Sequence, residues 1–287
     1  MSSRRRHSAS GAVGRFPDFI IIGAMKSGTT TLFRWLEAHS QTALPQVKEP
    51  AFFCDDAKFE GGPERYCRLF PETGLTGEAS VAYSDPVVAP LVAARIAQSV
   101  PNVRLIFLAR DPVARLRSHY LHESLRGRER RSLTEAVRSD GNPYVRRSCY
   151  RQALAPFIEE IGGDRLLVMQ SELLDQRETW IEIQRYLGLS SEDRAITRHN
   201  ISSTKERETR VMQELRRLSL VQPAQALPRS VRHFARRVVV RDDREARSIQ
   251  REARAAPIPV EVTGQLKDEA DGLVELVGWS ENPWFRG

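Results

Sequence analysis

The segment Ile22-Gly23-Ala24-Met25-Lys26-Ser27-Gly28-Thr29-Thr30-Thr31-Leu32 constrains this chain more than any other. It follows the apolar run Phe19-Ile20-Ile21-Ile22, which reads as a strand buried on both faces. It opens a stretch from Thr29 to His39 that places Leu32, Phe33 and Leu36 on one helical face. A strand that passes through small residues into a helix lets backbone N–H groups and the helix N-terminus surround an anion, and Lys26 adds a mobile charge. An incidental lysine in a tight turn would not require this strand, loop and helix in sequence.

Two further apolar runs, Val103 to Ala109 and Leu166 to Met169, are each followed by polar residues and a helical pattern. After the first of them, Asp111 supplies an N-cap and Pro112 an N1 proline for a helix running toward Leu125. Arg110 then sits at the carboxyl end of a strand, where open α/β sheets bind ligands. Tyr150 to Ile161 and Thr179 to Leu187 read as helices, the second closed by Gly188. The alternation predicts a single-domain α/β fold with a P-loop-like central parallel β-sheet flanked by helices. Residues 1–15, rich in Ser and Arg, read as a disordered basic tail, and residues 16–287 as one domain. Pro223, Pro228, Pro257 and Pro259 are expected to break the last third into short pieces.

The formal net charge of +7 favours anionic ligands. Nine arginines lie between Arg229 and Arg254, but Asp242, Asp243, Glu245 and Glu252 are mixed with them and the stretch lacks the aromatic interleaving of a single-strand platform. The stretch reads as a solvated face rather than a nucleic-acid site. Cys54, Cys67 and Cys149 have neither CxxC spacing nor companion histidines, which predicts free thiols, no metal and a reducing compartment. No window approaches the ~18 consecutive apolar residues of a membrane span, and the Arg4-Arg5-Arg6 run is not followed by the apolar stretch of a secretory signal. A cytoplasmic protein without a membrane partner is expected.

A nucleotide triphosphatase or P-loop kinase requires Gly-x-x-x-x-Gly-Lys-Ser/Thr, with the lysine after the second glycine and a hydroxyl beside it for magnesium. Here Lys26 precedes Gly28, and threonines follow. That order disfavours ATP with magnesium, although a kinase shares the cradle and the basic charge. An arginine-rich nucleic-acid-binding protein is the non-enzymatic alternative.

Lys26-Ser27-Gly28-Thr29-Thr30 resembles the 5′-phosphosulfate loop of sulfotransferases that use 3′-phosphoadenosine 5′-phosphosulfate. Arg104-Leu105-Ile106-Phe107-Leu108-Ala109-Arg110-Asp111-Pro112, with Ser118 eight residues after Arg110, resembles their 3′-phosphate motif. The resemblance implies that Lys26, Ser27, Gly28, Thr29, Thr30 and Thr31 hold the sulfated end of the nucleotide and that Arg110 and Ser118 hold the 3′-phosphate. Arginine at a strand end can grip phosphate bidentately, and a serine two turns into the helix adds a hydroxyl on the same side. Gly77-Glu78-Ala79-Ser80-Val81-Ala82-Tyr83 resembles the family's Gly-Glu-x-Thr/Ser-Pro-x-Tyr, with Val81 in place of proline. Ser148-Cys149-Tyr150 resembles its Ser-x-Tyr, whose tyrosine lies near the adenine, and Lys205 and Arg207 fall where relatives close a loop over the nucleotide.

Lys48-Glu49-Pro50-Ala51-Phe52-Phe53 resembles the Glu-x-x-Phe-Phe of the carbohydrate, heparan-type branch, where the glutamate is the general base. The resemblance therefore implies Glu49 as base and Lys26 as the group that stabilises the leaving phosphate, with the nucleotide as donor co-substrate and no metal. The histidine motif of the phenol and steroid branch is not found. Glu78 and His119 are lesser candidates, since His119 is turned about 100° from Ser118 on the helix. The heparan-type lysine after the segment's glutamate is replaced by Ala79, which favours a small-molecule or glycoside acceptor bearing a hydroxyl, less readily an amine, over a glycosaminoglycan. The segments around Cys54 to Phe70, Arg126 to Arg147 and Leu220 to Pro259 read as loops that set acceptor choice.

Overall fold

Four strands pair in parallel in the order β2-β1-β3-β4: β1 (Phe19–Gly23), β2 (Gly77–Glu78), β3 (Arg104–Ala109) and β4 (Leu166–Gln170). The computed structural model describes residues 14–192 and 247–285. Ile20 stands opposite Leu105 and Ile21 opposite Ile106, while Leu105 stands opposite Leu166, so the three predicted runs form three adjacent strands of the sheet.

Strand alternation sorts these side chains into two layers. Phe19, Ile21, Ile106 and Leu108 face α1 (Thr29–Glu37) and α9 (Arg177–Leu187) through Leu32, Trp35, Leu36 and Trp180. Ile20, Ile22, Leu105 and Phe107 face α4 (Ala89–Ser99) and α8 (Tyr150–Ile161) through Val92, Ile96, Leu154 and Phe157. Each such buried side chain contributes about 1.5–3 kcal/mol. The second layer also covers the aromatic segment Phe52, Phe53 and Tyr66, the last from the short helix α3 (Glu64–Cys67) that follows α2 (Asp56–Glu60).

A third cluster stands beside the sheet. Leu116 and Leu121 of α5 (Pro112–Leu125) pack with Leu133 of α6 (Leu133–Arg138), Val145 of α7 (Pro143–Arg146) and Leu266 of α10 (Val260–Val277). Asp111 caps α5 as its sequence predicts, accepting from Ala114 N at 2.8 Å. One expectation is corrected. The stretches expected to be loops between Cys54 and Phe70 and between Arg126 and Arg147 contain α2, α3, α6 and α7. Pro257 and Pro259 break the C-terminal region as expected, separating a helical stretch that ends at residue 255 from the 18-residue α10, at whose N-cap Pro259 costs no intrahelical hydrogen bond, while Pro223 and Pro228 lie outside the described residues. No helix among the described residues is long and apolar enough to cross a membrane.

The connection from β1 runs to β2 on one side and that from β3 runs to β4 on the other. The crevice between the carboxyl ends of β1 and β3 is therefore the switch point of the sheet, where ligands bind in open α/β folds.

Candidate active site

β1 leaves the sheet at Gly23, where a Cβ would lie 2.2 Å from Ser84 Oγ and 2.6 Å from the Phe107 ring, so that only glycine fits. The loop then turns through Lys26 at φ 73° and Gly28 at φ 89° into α1. Gly28, the N-cap, supplies no side-chain cap, and the first turn carries no acidic residue, so the N–H groups at this helix start are left for an anion. Ser27 is fully buried and its Oγ has no hydrogen-bond partner, an orphaned donor inside the loop. Thr29 and Thr31 are buried beside it and Thr30 is half-buried.

Arg110, at the end of the neighbouring β3, donates from Nη1 to the Lys26 carbonyl at 2.9 Å. Its own carbonyl accepts from the Tyr150 hydroxyl at 2.8 Å. Ser118 is buried on the α5 face that also carries Arg115. The Arg115 guanidinium is wholly buried, donating to Ser148 Oγ at 2.7 Å, to the Tyr144 carbonyl and toward His119 Nδ1 at 3.5 Å. Burial, reinforced by Arg147 and Arg110, lowers its pKa to about 10, so the group stays charged. Since arginine only donates, His119 Nδ1 accepts and its proton sits on Nε2. Burial first, then Arg115, Arg147 and Lys26, hold the imidazole far below its usual range, and it packs edge-on against Tyr144 at 4.9 Å. His119 is thus neutral and enclosed between Arg115 and Tyr144.

The third side of the site is carried by β2. Ala79, the residue after that strand, donates its N–H to the Lys48 carbonyl at 2.9 Å and so aligns the segment bearing Glu49 with the carboxyl end of the sheet. Glu49 is exposed and pairs with Lys48 Nζ at 2.7 Å. Ala51, two residues on, adopts φ 53°. Lys26 and Ala51 are the non-glycine residues of positive φ among the described residues, one in the loop after β1 and one beside Glu49. Glu78 does not open onto this cleft: it is fully buried and accepts from Tyr66 and Tyr83 hydroxyls at 2.9 and 2.8 Å and from Ser80.

Across the carboxyl edge of β2, β1 and β3, the order is thus Glu49, the Lys26 loop, Arg110. The structure brings the Lys26 to Thr31 loop, Arg110 and Glu49 to one edge of the sheet, and Ser118 lies buried in α5, which starts from Arg110-Asp111. Tyr150 lies beneath Arg110 with its ring enclosed edge-on by Phe107 at 5.4 Å and Trp284 at 6.1 Å, so it supports the strand end from below. Lys205 and Arg207 lie outside the described residues, as does most of the Arg229 to Arg254 stretch. No group of three or more His, Cys, Asp or Glu that could hold a metal occurs among the described residues.

The sequence did not point to Arg147. Its Nη1 lies 3.3 Å from Met25 Sδ in the phosphate loop, and its Nε is held by Asp85 at 2.6 Å, a carboxylate shared with Arg146 at 2.8 Å. Adjacent arginines before Ser148-Cys149-Tyr150 are the only sequence signal, and they lie far from the loop in number.

A family model described as Sulfotransferase domain matches residues 16–245. Heparan sulfate glucosamine 3-O-sulfotransferase 6 of Homo sapiens is 28% identical over 185 residues, 62% of this chain and 47% of its own length. The membrane-associated sulfotransferase kil1 of Dictyostelium discoideum is 37% identical over 107 residues, 36% of this chain and 22% of its own. The chain therefore spans less than half the length of these curated relatives. A sulfotransferase from Alicyclobacillus acidocaldarius shares the fold, with a TM-score of 0.64 over 95% of this chain and 100% of that one at 20% identity.

Proposed function

Because this chain belongs to the sulfotransferase family, we propose that it moves a sulfuryl group from 3′-phosphoadenosine 5′-phosphosulfate to a hydroxyl, less readily an amine, of a small-molecule or carbohydrate-like acceptor. The observation that carries this reading is the order Glu49, Lys26 loop, Arg110 across one sheet edge. A nucleotide phosphorylated at both ends needs two anion-holding groups a fixed distance apart, and the acceptor must attack from the side away from the ribose.

The residues present fit such a donor. The uncapped start of α1, the orphaned Ser27 hydroxyl, Thr29, Thr30 and Thr31 would hold the phosphosulfate end, and Arg110 with Ser118 the 3′-phosphate. The bound nucleotide supplies an activated sulfuryl group. Lys26 neutralises the charge that grows on the bridging phosphate oxygen, which in a dry loop is worth more than in water. Glu49 takes the acceptor proton, a contribution of order 10²- to 10⁴-fold. Tyr150 fixes the carbonyl of Arg110 and so the direction of that strand end. The free thiols Cys54, Cys67 and Cys149 suit a reducing, cytoplasmic setting.

Labelled donor offered to a panel of alcohols, phenols, amino sugars and glycosides tests the activity directly. Adenosine 3′,5′-bisphosphate at 100 times its dissociation constant should stabilise the protein by about 2.7 kcal/mol, and ATP with magnesium should not. Glu49→Gln should reduce kcat by roughly 10²- to 10⁴-fold while leaving bisphosphate affinity in place. Normal turnover by that variant would remove Glu49 as the base and leave the donor site standing.

A further inference from the structure

Glu78 is fully buried, yet none of the catalytic roles above uses it. Its surroundings form a closed relay. Ser80 Oγ donates to Glu78 Oε2 and accepts from Ala51 N at 3.0 Å. The Tyr83 hydroxyl donates to Glu78 Oε1 at 2.8 Å and accepts from Phe53 N at 3.3 Å. The Tyr66 hydroxyl donates to the same Oε1 at 2.9 Å, and its ring stacks on Phe52 at 4.4 Å. Lys48 to Phe53 is thus tied at Lys48 by Ala79 N, at Ala51 by Ser80 and at Phe53 by Tyr83, with Glu49 between the first two anchors.

The direction of each hydroxyl matters. Ser80 and Tyr83 have one proton apiece, and each must turn a lone pair toward a backbone N–H of the segment, so both protons need an acceptor elsewhere. The two carboxyl oxygens of Glu78 take both, Oε2 that of Ser80 and Oε1 that of Tyr83. Without them, a hydroxyl that turned its proton toward a backbone N–H would lose the anchor. The anchors also hold Ala51 at φ 53°, a conformation that persists only when its surroundings over-determine it.

We infer that Glu78 is a positioning residue for the reaction: through the hydroxyls of Ser80 and Tyr83 it holds the 48–53 segment, and with it the Glu49 carboxylate, at the carboxyl edge of the sheet. This rests on the reading of Glu49 as the general base.

The test is a set of double-mutant cycles on the full chain, with labelled donor and either 4-nitrophenol or a glucosamine disaccharide, whichever the acceptor panel turns over faster. Ser80→Ala and Tyr83→Phe each remove one hydroxyl and keep the fold's shape. Each should lower kcat about tenfold with acceptor KM and bisphosphate affinity within about twofold, and each loss should disappear in the Glu49→Gln background, because positioning an absent base has no effect. Losses of equal size in both backgrounds, or unchanged kcat in the single variants, would overturn the inference while Glu49→Gln still reports on the base. A wild-type rate for Glu49→Gln would instead remove the base on which it rests. Amide exchange supplies a readout that needs no acceptor: in Glu78→Gln, whose amide must donate to one hydroxyl, the Ala51 and Phe53 amides should exchange at least tenfold faster. Wild-type exchange at both positions would overturn the relay.

Discussion

Arg110 Nη1 donates to the Lys26 carbonyl oxygen at 2.9 Å, so the strand end bearing one basic group grips the backbone of the loop bearing the other. The spacing between the two anion-holding ends is thereby set by a hydrogen bond within the sheet edge. Replacing Arg110 by Ala should weaken adenosine 3′,5′-bisphosphate roughly ten- to hundredfold, the range of about 1.5–3 kcal/mol for a charge-assisted bond. Arg110→Lys should recover little, since an ammonium cannot span carbonyl and phosphate as the guanidinium fork does. Titration calorimetry with adenosine 5′-phosphosulfate, which lacks the 3′-phosphate, separates the two duties of this residue. An equal loss for both ligands would mean that Arg110 only holds the loop.

Ser27 gives a prediction of opposite signs. Its buried Oγ has no partner, a situation that costs about 1–3 kcal/mol. Ser27→Ala should therefore leave the melting temperature of the ligand-free protein unchanged or raise it, while shrinking the rise caused by the bisphosphate. Thermal melts with and without ligand decide this, and a variant that is destabilised yet binds normally would assign Ser27 to packing.

Glu78 sets a pH dependence. Burial pushes its carboxyl up to about 7 against the opposing pull of Ser80, Tyr83 and Tyr66, with Glu49 adding to the rise. In the unfolded chain the group titrates near 4.5. Between these values the folded state binds more protons, so the contribution to stability is full below 4.5 and is lost as pH rises through about 7. Between pH 5 and pH 8 the wild type should lose roughly 2–3 kcal/mol relative to Glu78→Gln. Urea midpoints of the two proteins at those pH values measure the difference. A constant gap would show that Glu78 is ionised throughout.

The strand ends of β1 and β3 could be read from sequence because each joins a run of buried apolar residues to a helix start with its own chemistry, Lys26 to Thr31 in one case and Arg110-Asp111-Pro112 in the other. Strand β2 could not, since two residues carry no alternation, and Gly77-Glu78 pairs through backbone alone. α10 was hidden by its composition: Pro259 and the interior Gly264 and Gly272 suggest breaks. Gly272 faces the side chain of Arg151, a tertiary neighbour that local propensity does not record. Tyr150 stands beneath the end of β3, its hydroxyl bonded to the Arg110 carbonyl and its ring enclosed by Phe107 and by Trp284 from the far end of the chain. Arg147 was invisible for the same reason, since only folding brings it to Met25.

Arg146 and Arg147 share one carboxylate, but only Arg147 reaches the phosphate loop, and this difference separates charge from position. Burial would raise the pKa of Asp85, but the hydrogen bonds from Arg146 and then Arg147 outweigh it and hold the carboxyl down at about 2. Its folded value is depressed, so the stability it supplies is present above 3.8 and is lost as pH falls through about 2. Asp85→Asn should therefore be less stable than wild type near neutral pH, and the gap between their urea midpoints should narrow by pH 3. Arg147→Met should weaken bisphosphate binding several-fold at low salt, and Arg146→Met should leave it nearly unchanged, because the cation lost in the second case does not touch the loop. Equal effects of the two arginine variants on binding, with equal salt dependence, would show that only their summed charge matters and that the contact with Met25 has no part in holding the donor.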